Sequence, residues 1–334
     1  KFECCNGTAS DYQALPEQYR KGIEDAVYDL ILLDLRMNGL QEEENLNPDD
    51  FSGMKILKAI KSYNKGTQVI MLTASNKAWN MKALIDAGAD GYYIKESPEY
   101  AFSQTYSLSN AKELANSINR CLSNSYLRRI YSKIDQVKTL IEKSNIFEDR
   151  TEEILCKINV AFDLIARSDR HKEYCAYAYI QLFLIIEEYV KMPSVFDYTD
   201  SDLFLYNGSQ RYRILKDKTT KSGIPTYNAK ISMDNGHYCI KESKYRNRFI
   251  DTNFLVSAML IFKFGKDNSS ALKWTKIYQT RNDAAHPKEY TITIEDFDRI
   301  MDFMLYFFDE SKAKWRRIED AFPDVKIEDQ LAAL

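Results

Sequence analysis

The chain has 334 residues, enough for two domains, with 45% hydrophobic residues to fill two cores and 28% charged residues to keep their surfaces wet. A net charge of −3 gives no whole-chain case for nucleic acid or membrane, so any such site has to be local. No apolar run reaches ~18 residues and no charged start leads into an apolar leader, so the expected setting is cytoplasmic, with no membrane partner. The six cysteines, at 4, 5, 121, 156, 175 and 239, show no paired metal spacing, and the histidines are His171, His237 and His286. Reduced thiols and no zinc site are the expectation.

In chain order, Phe2-Glu3-Cys4-Cys5 reads as a strand. Leu30 to Leu33 are four consecutive apolar residues that run into Asp34, the pattern of a strand buried on both faces that delivers a carboxylate to its C-terminal end. Open parallel sheets place their chemistry at that edge. Gln68 to Leu72 runs in the same way into Thr73, and Gly91 to Ile94 into Lys95. A carboxylate, a hydroxyl and an amine at three strand ends are the parts needed to accept a phosphoryl group and hold its oxygens. Ser109 reads as the N-cap of a following helix whose inward face is Ala111, Leu114, Ala115, Ile118 and Leu122.

With Gly53 after the next loop, Ala87-Gly88-Ala89-Asp90-Gly91 before the last strand, and Tyr93 within it, the stretch from Lys1 to about Leu122 resembles the receiver domain of bacterial response regulators. The resemblance implies a doubly wound, flavodoxin-like α/β sheet and a sensor histidine kinase as partner. It implies Asp34 as phospho-acceptor, with Thr73, Tyr93 and Lys95 as the residues that switch. Receivers begin with a central strand ending in an acidic pair that binds Mg²⁺, whereas this sequence opens in what reads as the second strand. The expectation is a receiver lacking its first strand and helix, cut from a longer chain. Mg²⁺ is then expected at Asp34 only if that acidic pair exists, because the charge gathering on a transferred phosphoryl group must be neutralised. Two smaller departures are Glu96, where receivers usually have Pro, and a long loop before Gly53 carrying Glu42, Glu43, Glu44, Asp49 and Asp50.

Past Ser123-Asn124-Ser125 the periods become helical. Ile130, Ile134, Val137 and Ile141 describe an amphipathic helix that either pairs with a neighbour or lies on one of the domains. Further helices are expected from Asp149 or Thr151 onward, over Tyr174 to Val190, Asn253 to Phe264, Ser269 to Ala285, and Thr293 to Phe308 with Thr293 as cap. The expected domains are a receiver at 1–122, a linker helix at 123–148, a helical bundle at 149–320 with an insertion at 195–250, and a tail at 321–334. Within the insertion, Gly208 to Phe249 holds ten Lys or Arg against three Asp or Glu, and Asp234-Asn235-Gly236 signals a hairpin. Arg211, Arg213, Lys230, Lys241, Lys244, Arg246 and Arg248, interleaved with tyrosines, could grip single-stranded RNA by phosphate and base. A solvated basic hairpin balancing acidic surfaces explains them equally.

Arg281, Asn282 and His286 close the fourth of these helices, with Pro287 biasing its predecessor out of the helical region. In spacing, residue type and position they resemble the motif of HEPN domains, a helical family in which many members are ribonucleases. The resemblance implies a homodimer and metal-independent RNA cleavage leaving a 2′,3′-cyclic phosphate, with no cofactor at that site. His286 would move the proton of the 2′-hydroxyl, Arg281 would hold phosphate oxygens in its planar fork, and Asn282 would position one or the other. Glu187 or Glu188 would orient the Arg. The same residues are explained by simple C-terminal capping of a helix. The alternative is therefore a catalytically silent bundle for dimerisation, RNA binding or partner binding under receiver control. A helix-turn-helix output is excluded, since the basic residues cluster outside the helices.

Overall fold

A computed structural model describes residues 3, 5, 8–37, 47–74, 78–95, 104–168, 173–199, 202–207, 210–216, 218–219, 225–234, 237–247, 251–265, 268–285 and 291–315. The chain divides into two compact units, Lys1–Ser132 and Lys133–Leu334.

The first unit contains α1 (Glu17–Glu24), β1 (Leu30–Asp34), α2 (Ser52–Tyr63), β2 (Gln68–Thr73), α3 (Ala78–Asp86), β3 (Gly91–Ile94) and α4 (Gln104–Ser123). Its three strands are parallel in the order β1-β2-β3. Parallel strands need crossover helices that cover the faces, which is why β2 is apolar and fully buried at Val69, Ile70 and Met71. Met54, Ile56, Leu57 and Ile60 of α2 pack against the same core. At the N-terminal edge of the sheet, Lys61 Nζ donates to Asp90 Oδ2 at 2.7 Å and to Thr67 O at 2.6 Å. Burial pushes the Asp90 carboxyl above its ordinary range even though Lys61 opposes the shift.

Two sequence expectations fail in this unit. Among the described residues of the first segment, Glu3 and Cys5 are not in a strand, and the described sheet ends at β1. The last helix also starts earlier than its supposed cap: Ser109 lies inside α4 and is exposed. Its buried residues are Asn110 and Cys121, whereas Ala111, Ala115 and Leu122 face outward and Leu114 and Ile118 are half-buried. The inward face is therefore rotated from the apolar stripe that the sequence suggests.

The unit boundary falls within α5 (Tyr126–Ser144), whose Ile130, Ile134, Val137 and Ile141 are all fully buried. Of the two readings of that stripe, a helix lying on its own chain is the one found. Beyond Ser132 it is pinned within the second unit by Lys133 to Asp298 and Asp302 and by Lys138 to Asn159.

The second unit continues with α6 (Thr151–Ala166), α7 (Glu173–Val190), α8 (Thr252–Phe262), α9 (Asn268–Ala285) and α10 (Ile294–Phe307). Its core is an aromatic stack, Phe183 on Trp274 at 5.6 Å, Trp274 on Phe303 at 5.3 Å and Phe303 on Phe307 at 5.1 Å. The expected cap Thr293 is present and forms a reciprocal capping box with Asp296. Along α10, Phe303 and Phe307 are buried beside the expected Phe297, Ile300, Met301 and Met304, and Leu305 is only half-buried.

Between α7 and α8 lie β4 (Phe196–Thr199), β5 (Asp202–Asn207), β6 (Gln210–Lys216), β7 (Lys218–Thr219), β8 (Pro225–Asp234) and β9 (His237–Asn247). They form two three-stranded sheets, β4-β5-β6 and β7-β8-β9. The expected hairpin is β8 and β9, in which Asp234 pairs with His237. The first sheet, β4-β5-β6, was not expected. Among the described residues no helix is long and apolar enough to cross a membrane.

Candidate functional site

The parallel register sets the C-terminal ends of the three strands side by side, with Asp34 opposite Leu72 and Thr73 opposite Ile94. Leu35 N–H donates to Leu72 O at 2.9 Å and Lys95 N–H to Thr73 O at 2.7 Å, so both chain exits stay tied to β2. Lys95 then reaches across the sheet, and its Nζ donates to Asp34 Oδ2 at 2.5 Å. Side-chain exposures of 43% for Lys95 and 38% for Asp34 leave this pair open to an incoming group. Among the described residues the second carboxylate oxygen, Oδ1, accepts a long 3.3 Å bond from Arg36 N–H and no other. Thr73 is buried.

The start of α2 closes against the same edge. Gly53 N–H donates to Leu35 O at 3.0 Å, and Ser52 Oγ accepts from Met37 N–H at 2.8 Å. A Cβ on Gly53 would stand 2.1 Å from Asp34 O, so only glycine allows this approach. Tyr93, in β3, is half-buried, and its Oη accepts from Asn110 Nδ2 of α4 at 3.0 Å. Asn110 escaped the sequence reading, because one polar residue on a helix carries no signal of burial.

Receivers typically use Mg²⁺ for phosphorylation. Among the described residues no three His, Cys, Asp or Glu side chains gather to hold a metal ion. Asp34 moreover has one oxygen committed to an ammonium. These residues do not by themselves make a Mg²⁺ site.

In the second unit, Arg281 and Asn282 lie in the last turn of α9, and His286 lies outside the described residues. Arg281 Nη1 donates to Asn282 Oδ1 at 3.2 Å, and its guanidinium carbon stands 5.4 Å from the Phe183 ring centre. Among the described residues its buried Nε has no hydrogen-bond partner, and neither has the Oγ1 of the preceding Thr280. Of the two candidate glutamates near the end of α7, Glu188 is committed to Arg150 and Lys157. Glu187 is the one whose charge interacts with Arg281. Burial works to raise its carboxyl, but hydrogen bonds from Lys191 and Thr252 and the charges of Lys191 and Arg281 outweigh it and hold the group below its ordinary range.

The basic candidates are spread over three strands. Arg211 and Arg213 are in β6, Lys230 is in β8, and Lys241, Lys244 and Arg246 are in β9. Lys230 and Lys241 are cross-strand partners. Their side chains, and Arg248 altogether, lie outside the described residues.

Comparison with known proteins bears on the first unit. The family profile of the response regulator receiver domain matches residues 7–105. The nitrate/nitrite response regulator protein NarP of Escherichia coli (strain K12) is 42% identical over 69 residues, 21% of this chain and 27% of that protein. A nitrate/nitrite response regulator protein homolog of Haemophilus influenzae (strain ATCC 51907 / DSM 11121 / KW20 / Rd) is 36% identical over 69 residues, 21% of this chain and 28% of that protein. The matched part thus spans about a quarter of these relatives' length. A parallel sheet that brings an aspartate and a lysine into contact at its C-terminal edge, together with these matches, makes the N-terminal part of the chain a response regulator receiver domain.

Proposed function

We propose that Asp34 accepts a phosphoryl group from a sensor histidine kinase and that the helical unit is the output it controls. The observation that carries this reading is the Asp34–Lys95 pair, partly exposed at the C-terminal edge of the parallel sheet. Lys95 holds Oδ2 and leaves Oδ1 as the nucleophile. Attack by Oδ1 forms a P–O bond as the P–N bond of a phosphohistidine breaks, and the imidazole takes the departing electron pair. The Lys95 ammonium offsets negative charge on the transferred group. Intact-mass measurement after incubation with acetyl phosphate and Mg²⁺ tests it. One phosphate on the wild type and none on Asp34→Asn is the expected result. Equal labelling of the two, or none on either, overturns the reading.

For the output, the favoured activity is metal-independent RNA cleavage by a HEPN-like bundle. Arg281 supports it: a half-buried cation at a helix end, backed by an aromatic ring, with Glu187 beside it and a guanidinium nitrogen that no other described group engages. In this reading His286 takes the 2′-hydroxyl proton, Arg281 and Asn282 hold the phosphate, and two chains act as a homodimer. The basic strands β6, β8 and β9 would carry the RNA backbone. The competing output is a silent bundle of the same fold that binds RNA or a protein partner.

A further inference from the structure

Helix α4 runs along β3 and is tied to it by a polar contact at each end of the strand. At the strand's start, Arg120 Nη2 donates to Asp90 O at 2.8 Å, next to the buried Cys121. At the strand's end, Asn110 Nδ2 donates both to Tyr93 Oη at 3.0 Å and to Ile94 O at 3.2 Å. Asn110 is 9% exposed, whereas Leu108 before it is 70% exposed and Thr105, Tyr106 and Ser109 also face outward. Asn110 thus fastens the first half of α4 to the strand end.

The two ties differ in what they can sense. Asp90 O lies at the edge of the sheet away from Asp34. Ile94 O instead belongs to the same planar peptide unit as Lys95 N–H, which donates to Thr73 O. Lys95 is also the residue whose ammonium holds Asp34. A Lys95 that loses or regains Asp34 turns that stiff peptide, and with it the carbonyl that Asn110 grips.

We propose that Asn110 is the positioning residue through which the state of the Asp34–Lys95 pair reaches α4, loosening its first half while Arg120 and Cys121 hold the second. This regulation rests on the receiver reading of Asp34, although not on phosphoryl transfer itself. Amide hydrogen exchange on the full chain, compared between residues 105–112 and 116–123, tests it. Asp34→Asn removes the charge that holds Lys95 and speeds exchange at 105–112 by roughly three- to tenfold, the loss of about one hydrogen bond, leaving 116–123 unchanged. Asn110→Ala produces the same rise alone, and adding Asp34→Asn to it changes nothing more. Tyr93→Phe keeps the Ile94 carbonyl as acceptor and so keeps the response to Asp34→Asn. If Asn110→Ala lowers the melting temperature of the unit, Asn110→Asp, equal in size with no N–H to donate, carries the same comparison. An Asp34→Asn effect of equal size with and without Asn110, or loosening shared by both halves of α4, overturns the proposal. Failure of acetyl phosphate to label Asp34 would sink the phosphorylation reading and still leave this exchange comparison with its own outcome.

Discussion

At the scale of single residues, Glu187 shows how the field around Arg281 can be measured without any substrate. Its carboxyl is held below the ordinary range in the folded chain, so the folded state releases that proton more readily than the unfolded one. The stability it contributes is complete above its unfolded value of 4.5 and is lost as the pH falls through the lower folded value. Urea midpoints of wild type and Glu187→Gln should therefore differ most near neutral pH and converge in acid. A gap that does not change with pH would mean that Glu187 acts by packing alone. The sequence placed Glu187 and Glu188 one residue apart on a buried helix and gave no means to choose. Their separate roles come from which neighbouring helix each one meets, Glu188 facing Arg150 and Lys157 while Glu187 shares its surroundings with Arg281.

At the scale of elements, β1 was legible as a strand because four apolar residues ending in a carboxylate put the charge at the rim, but the expected burial on both faces fails: β1 is the edge of the described sheet, where Leu33 is buried and Leu30, Ile31 and Leu32 are half-buried. The capping box of α10 was legible for a similar reason, since Thr293 stands where an orphan N–H needs an acceptor. Helix α4 was misread because Ser109 offers the same cap chemistry but lies inside the helix, where its exposed side chain costs little. Its apolar stripe then pointed to the wrong face, since what α4 buries against the strand end is the polar Asn110. The join between β1 and α2 yields a direct prediction. Gly53→Ala brings a methyl group to 2.1 Å from Asp34 O, against backbone that cannot swing aside. Thermal or urea unfolding of the first unit should show a loss of about 2 kcal/mol or more. A near-neutral result would mean that α2 slides away from β1 at no cost, and that glycine there answers no close approach.

At the scale of the whole chain, the receiver profile ends at residue 105, within the first unit, so the proposed output must be judged by its own chemistry. In the proposed ribonuclease reading, RNA supplies its own nucleophile in the 2′-hydroxyl, so cleavage by His286 and Arg281 would require no metal and should persist in EDTA. The product ends should then be 2′,3′-cyclic phosphates. His286→Ala removes the proton acceptor and should cost about a hundredfold or more in rate. Arg281→Ala should do the same, but it also strips the ring of Phe183 of its cation, so its fold must be checked by melting. Arg281→Lys settles that ambiguity: it keeps the charge over the ring and loses the planar fork, so a ribonuclease should still lose most of its rate while a structural cation would be replaced without effect. Cleavage that survives both His286→Ala and Arg281→Lys belongs to a contaminant or another site. No cleavage in any state, with RNA still retained by the wild-type chain, would assign the output to binding and transfer the argument to the basic strands β6, β8 and β9.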